Sequence, residues 1–126
     1  MAYAYDPQNI FAKILRGEIP CDKVLETDHS LAFRDIAPKT PDHVLVIPKG
    51  AYVTWDHFAA DATDAELADF TRAVGQVAQI VGAAPGADGA GYRLISNAGQ
   101  DGVQEVPHLH VHVLAGRPLG WMIRPD

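Results

Sequence analysis

From Pro107 to Leu114 the chain reads Pro-His-Leu-His-Val-His-Val-Leu, a strict alternation of imidazole and branched aliphatic side chains. A period of two belongs to a β-strand with unlike faces, so His108, His110 and His112 are expected on one face and Leu109, Val111 and Val113 on the other. The aliphatic face demands a core. The imidazole face admits three readings. A solvated sheet surface or an appended tag is the plainest, but the strict spacing and the sequence that continues beyond it count against that. A zinc centre is the second; at about 3.3 Å per residue the outer rings stand about 13 Å apart, while Zn–N bonds are about 2.1 Å. One strand therefore supplies two converging ligands more readily than three, and two of these with His43 from another strand remain open. The third reading is nucleophilic catalysis at phosphorus, because neutral imidazole is nucleophilic near pH 7 and its unperturbed pKa of about 6.5 suits proton transfer.

The rest of the chain supplies the core that such a strand needs. Asp6-Pro7 is expected to open a short helix, with Ile10, Phe11, Ile14 and Leu15 buried along one face until Gly17. Val24 to Glu26 and Leu31 to Phe33 read as a hairpin across the polar turn Thr27-Asp28-His29-Ser30. His43 to Ile47 fits a strand buried on both faces. Thr63-Asp64-Ala65-Glu66 is a capping box, followed by Leu67, Phe70, Val74, Val77 and Val81 at helical spacing and by Gly82 as C-cap. Tyr92 to Ser96 and His108 to Leu114 complete the strands. This pattern predicts an α+β fold with a mostly antiparallel sheet, one long helix and one short.

A single domain over residues 1–126 is expected from the length. Sixteen acidic against ten basic residues give a net charge of −6, which disfavours a non-specific nucleic-acid binder. The lone Cys21 can make neither an internal disulfide nor a multi-cysteine metal site, and it reads as structural or incidental. No signal-like N-terminal stretch or membrane-length apolar run stands out, so a cytoplasmic protein without membrane contact is expected. Gly86 to Gly91, inside the linker-like stretch Gly82 to Gly91, is glycine-rich in the wrong order for a dinucleotide fingerprint and reads as a flexible connector; His29 and His57 read as solvated.

The histidine octet resembles the signature of the histidine triad family. So do, in order, Ile10 to Ile14, Gly17-Glu18-Ile19-Pro20, Ala32 to Ile36, His43 to Lys49, Ser96-Asn97 and Gly116 through Trp121, which resemble the nucleotide-binding branch of that family. The resemblance implies hydrolysis of purine nucleoside 5′-phosphoramidates. On that reading His110 attacks the α-phosphorus, an amine leaves, and water cleaves the nucleotidyl-histidine. His112 would contact the phosphate and leaving group, while His108 and His43 would form a shell holding the nucleophile's ring. Asp35 would accept from the ribose hydroxyls, Phe11, Ile14 and Ile36 would flank the base, and Asn97 with the backbone around Glu105 and Val106 would touch phosphate. No metal or other cofactor is implied. The sheets of two subunits would join edge to edge in a homodimer, with the apolar tail Leu119, Trp121, Met122 and Ile123 near the partner's site.

Two alternatives stand beside this reading: a nucleotide-binding regulatory module with little turnover, and a dinucleoside polyphosphate hydrolase, against which the short stretch from His112 to Gly120-Trp121 argues. Two positions depart from the family pattern. Glu105 stands where some members carry serine, and an ionised carboxylate cannot donate to a departing group. Asp42 precedes His43 where a small or hydroxyl residue is usual.

Overall fold

The structure, a computed structural model, describes residues 3–125. Met1, Ala2 and Asp126, which belong to the terminal stretches considered above, lie outside the described residues. Five strands, β1 (Lys23–Glu26), β2 (Ser30–Arg34), β3 (Asp42–Pro48), β4 (Tyr92–Ile95) and β5 (Val111–Ala115), form one sheet in the order β1-β2-β3-β5-β4. Every pairing is antiparallel, which matches the α+β expectation. Among the described residues three α-helices accompany it: α1 (Ile10–Leu15), α2 (Trp55–Asp61) and α3 (Asp64–Ile80).

Pleating divides β3 between two apolar clusters. Val44 and Val46 point with Ala32, Val111 and Val113 towards Phe58, Phe70, Ala73 and Val77 of α2 and α3. Leu45 and Ile47 point the other way, with Leu31 and Phe33, against Phe11 of α1. The strand is thus buried on both faces, as its unbroken apolar run predicts. α3 carries the capping box in full: the Thr63 hydroxyl accepts from the Glu66 amide, and the Glu66 carboxylate accepts from the Thr63 amide.

Several local expectations are corrected. α1 starts at Ile10 with Asn9 as its N-cap, accepting from the Ala12 amide at 2.9 Å; Asp6 instead caps a preceding turn by accepting from the Gln8 amide. Ile10 is 43 % exposed, because only Phe11 and Ala12 of this short helix turn fully inward. α2 has no forecast: seven residues with one buried side chain, Phe58, give no readable period. The 82–91 connector is a tight turn built on the 3-10 helix Pro85–Ala87, where a Cβ on Gly89 would meet the Ala83 carbonyl carbon at 2.3 Å. His57 is packed, with Nδ1 accepting from the Val53 amide and its ring stacked on Tyr3 at 4.9 Å.

The hairpin turn is tied to α3 through one carboxylate. Asp69 Oδ1 accepts from the Thr27 hydroxyl at 2.6 Å and from the buried Ser30 hydroxyl at 2.7 Å. Removing it strands a buried donor, so Asp69→Ala is expected to lower stability by about 2 kcal/mol in urea unfolding. A loss under about 0.5 kcal/mol would show that the turn holds without this anchor.

Candidate active site

The face of the sheet that carries α1 also carries the imidazoles. His112 lies opposite Leu45 of β3 and Ile95 of β4, while His43 lies opposite Leu114, one diagonal step away. The ladder of β5 begins only at Val111, so His108 and His110 precede the regular strand that the alternation predicts. The cause is local: the His108 amide turns back to the Val106 carbonyl at 2.8 Å, and the Leu109 amide goes to the Tyr52 carbonyl at 2.8 Å. The faces survive the irregularity. Leu109 joins the α3 side of the core, and the rings of His110 and His112 stand 5.1 Å apart on the other side.

Backbone groups dictate where each proton sits. His110 Nδ1 lies 2.7 Å from the His108 carbonyl oxygen, which can only accept, so Nδ1 carries hydrogen and Nε2 presents its lone pair. His108 Nε2 lies 2.8 Å from the Pro48 carbonyl oxygen and must donate to it, which leaves Nδ1 to accept from the Tyr5 hydroxyl at 2.6 Å. His43 Nδ1 accepts from the Lys39 amide at 3.1 Å, so its Nε2 carries hydrogen and donates to His112 Nδ1 at 2.9 Å. His112 consequently bears its proton on Nε2. The expected shell is therefore rearranged: His43 holds His112, and His110 is held by the backbone of His108 instead of by its ring.

Burial keeps all four rings neutral. His108 and His112 are pushed down to about 4 by desolvation, His112 further by its imidazole neighbours. His110 is lowered chiefly by burial, against the His108 carbonyl and the carboxylates of Asp35 and Glu105, which favour its charged form. His43 is likewise lowered by burial, with Asp35 opposing.

A cavity of about 450 Å³ opens beside His110 and His112. Phe11, Ile14, Asp35, Ile36, Asn97, Glu105 and Val106, all expected at the site, line it; His108 and His43 stand behind, as supports. Ile36 is 97 % exposed and forms part of the rim, since nothing packs over the bend after β2. The Asp35 carboxylate is 19 % exposed; Oδ1 accepts from the Ala37 amide and Oδ2 lies 3.5 Å from His43 Nε2. The apolar floor includes Phe33 and Leu45, for which the sequence pattern indicates only strands, and Cys21 reaches the same cavity. Tyr5 and the Lys39 amide were not foreseen either; a backbone amide carries no sequence signal, and Tyr5 sits in no pattern.

Asp35, His43 and His112 place ligand atoms within 4.8 Å of one another, close enough to suggest a metal. The hydrogen bonds point elsewhere. For Nε2 of His43 to bind an ion, Nδ1 would need the proton, and it would then face the Lys39 N–H, donor against donor. These groups form a proton-ordered chain ending on His112 Nε2–H.

The depressed values of His108 and His112 carry a linkage. The unfolded chain takes up protons near pH 6.5 that the folded chain refuses until about pH 4, so stability is full above 6.5 and falls as pH falls. The urea midpoint is expected to drop already between pH 6.5 and 5, above the ordinary carboxylate range of about 4. A midpoint constant over that interval would contradict neutral buried rings.

Comparison with known proteins agrees with this geometry. Residues 16–119 match the HIT domain family. A HIT-like protein of Azospirillum brasilense is 64 % identical over 98 % of both chains, and the purine nucleoside phosphoramidase of Escherichia coli K12 is 42 % identical over 92 % of this chain and 93 % of its own. Among solved structures, a HIT family hydrolase from Legionella pneumophila superposes with a TM-score of 0.76 at 41 % identity, covering 90 % of this chain and 96 % of that one. A histidine triad protein from Clostridium difficile gives 0.76 at 39 %, covering 90 % and 95 %. With its fold and these relatives in accord, the protein belongs to the HIT domain family.

Proposed function

We propose that this single domain hydrolyses purine nucleoside 5′-phosphoramidates through a covalent nucleotidyl-histidine on His110. The observation that carries the reading is the pair of rings with opposite polarity at the cavity wall: a lone pair on His110 Nε2 and a proton on His112 Nε2. The name of the E. coli relative, 42 % identical, supplies the substrate class.

In the first half-reaction the His110 Nε2 lone pair forms a bond to the α-phosphorus as the P–N bond breaks, and the amine takes a proton as it leaves. His112 Nε2–H donates to a phosphoryl oxygen or to the departing nitrogen. An anionic phosphoryl group between the rings favours the charged form of His112 and opposes its desolvation, so with substrate bound the ring can hold a second proton and end neutral after giving the Nε2 proton to the amine. Water then attacks the phosphorus and passes a proton to the His112 Nε2 left bare by the first step, the N–P bond to His110 breaks, and the nucleoside monophosphate departs. Asp35, acceptor-only, suits the two ribose hydroxyls, and Phe11 and Ile14 suit the face of a base. Asn97 and the backbone at Glu105 and Val106 border the phosphate end. No step needs a metal.

Incubation with adenosine 5′-phosphoramidate, following AMP and protein mass together, tests this. A rapid-quench sample is expected to carry one nucleotidyl group on His110, and His110→Ala is expected to lose the adduct and at least about a thousandfold in turnover. Prior treatment with a strong chelator is expected to change neither. AMP release at an undiminished rate from His110→Ala would sink the covalent reading. Binding without release of AMP would favour a nucleotide-binding module, and cleavage confined to dinucleoside polyphosphates would favour that hydrolase.

We also propose a cytoplasmic homodimer that joins edge to edge. β4 is a sheet edge with Tyr92 and Leu94 about half exposed, and Trp121, Met122 and Ile123 are 76–80 % exposed. The Arg93 guanidinium donates to the Gly120 and Trp121 carbonyls, so the tail starts along its own β4 before its apolar residues reach outward. No described helix is long and apolar enough to cross a membrane. Sedimentation at micromolar concentration is expected to give a dimer, and deletion of Gly120 to Asp126 to alter leaving-group preference with nucleotide affinity retained. A monomer, or an unchanged preference, would contradict the respective part of this proposal.

A further inference from the structure

We infer that Tyr5 is a positioning residue for the nucleophile, acting through His108; the inference rests on His110 being the reacting ring. The carbonyl that fixes the His110 tautomer belongs to a residue outside the β-ladder, since β5 starts at Val111. No β-ladder bond holds that peptide plane; its Leu109 N–H donates to the Tyr52 carbonyl at 2.8 Å, which fixes the plane at one end. What fixes the other end, the His108 Cα, is the fully buried His108 side chain, gripped at both nitrogens: Nε2–H donates to Pro48, the last residue of β3, and Nδ1 accepts from Tyr5 at 2.6 Å. Pro48 alone fixes one end of the ring and leaves it free to pivot. The Tyr5 hydroxyl is the second point, and with it the ring, its Cα and the carbonyl beneath His110 form one fixed unit.

Tyr5 is itself held by a short N-terminal strap. Tyr3, two residues earlier, stacks on His57 and donates to Asp56 at 2.7 Å, and Asn9 caps α1 four residues later. The Tyr5 ring meets His108 edge-on at 5.6 Å, and Phe11 meets His110 at 5.0 Å. The strap thus closes the side of the imidazole row that the sheet leaves open.

Tyr5→Phe keeps the ring and its packing and removes only the donor. Rapid quench with adenosine 5′-phosphoramidate is expected to show nucleotidylation slowed about tenfold with KM moved less than about twofold, because a misaimed nucleophile costs rate and not binding. Tyr3→Phe, which loosens the same strap without touching His108, is expected to react at the wild-type rate. Two readouts need no substrate. In wild type the His108 Nδ1 nitrogen-15 resonance should be that of a hydrogen-bonded acceptor, and in Tyr5→Phe it should move to that of an unbonded imine nitrogen. Diethyl pyrocarbonate should acylate His110 several-fold more slowly in Tyr5→Phe, followed by peptide mass. If wild type forms no adduct, the proposed reaction fails while these two readouts still judge Tyr5. An unbonded His108 Nδ1 in wild type, His110 acylation unaffected by Tyr5→Phe, or equal losses in Tyr3→Phe and Tyr5→Phe would overturn the inference.

Discussion

Three backbone groups order the protons on four imidazoles, and the chemistry of the site depends on that order. The His108 carbonyl forces hydrogen onto His110 Nδ1, the Pro48 carbonyl forces it onto His108 Nε2, and the Lys39 amide forbids it on His43 Nδ1. Neutral imidazole has one proton to place, so each constraint at one nitrogen decides the other. The result is a bare lone pair and an N–H donor side by side, His110 Nε2 and His112 Nε2–H. Had the His108 carbonyl or the Lys39 amide been replaced by a group of the opposite polarity, the same four side chains would present the wrong atoms.

The order persists because the rings stay uncharged. A protonated His110 would present no lone pair to the cavity, and a protonated His43 would need a second acceptor where the Lys39 N–H stands. Packing α1 across Leu31, Phe33, Leu45 and Ile47 makes the neutral form the cheaper one, by removing water from the same side of the sheet that holds the histidines. The opposite side, where Val111 and Val113 meet α3, has no part in the reaction but sets the register of β5 against β3. Slipping that register by one residue would send His112 into the α3 core. Gly116 marks how closely the next segment then passes: it lies at φ 102°, and a Cβ there would meet Pro41 Cβ at 2.7 Å.

Much of this was legible in the sequence where the signal is local. The alternation at 108–113 names the two faces, the apolar run at 44–47 names the central strand, and Thr63 with Glu66 names the start of α3. Contacts between distant segments were not legible. Tyr5 and His108 are 103 residues apart, and His43 and His112 are 69 apart; no spacing rule links them, so the partner of His43 came out as the wrong ring. The end of the ladder before His110 is equally invisible, since it follows from where the Leu109 amide finds its acceptor across the fold. The resemblance puts Ile36 beside the base; it does line the cavity, at the rim where the bend after β2 leaves it exposed, a placement no local pattern announces. The resemblance to histidine triad proteins named the site residues and their expected roles; the geometry adds which nitrogen of each ring carries the proton.

The central claim is the pair of tautomers, and nitrogen-15 resonances of the imidazoles in the unliganded wild-type protein at neutral pH measure it directly. The account predicts a protonated Nδ1 with a bare Nε2 on His110, and a protonated Nε2 with a hydrogen-bonded, unprotonated Nδ1 on His112. A proton on His110 Nε2, or a His110 imidazolium at pH 7, would contradict it.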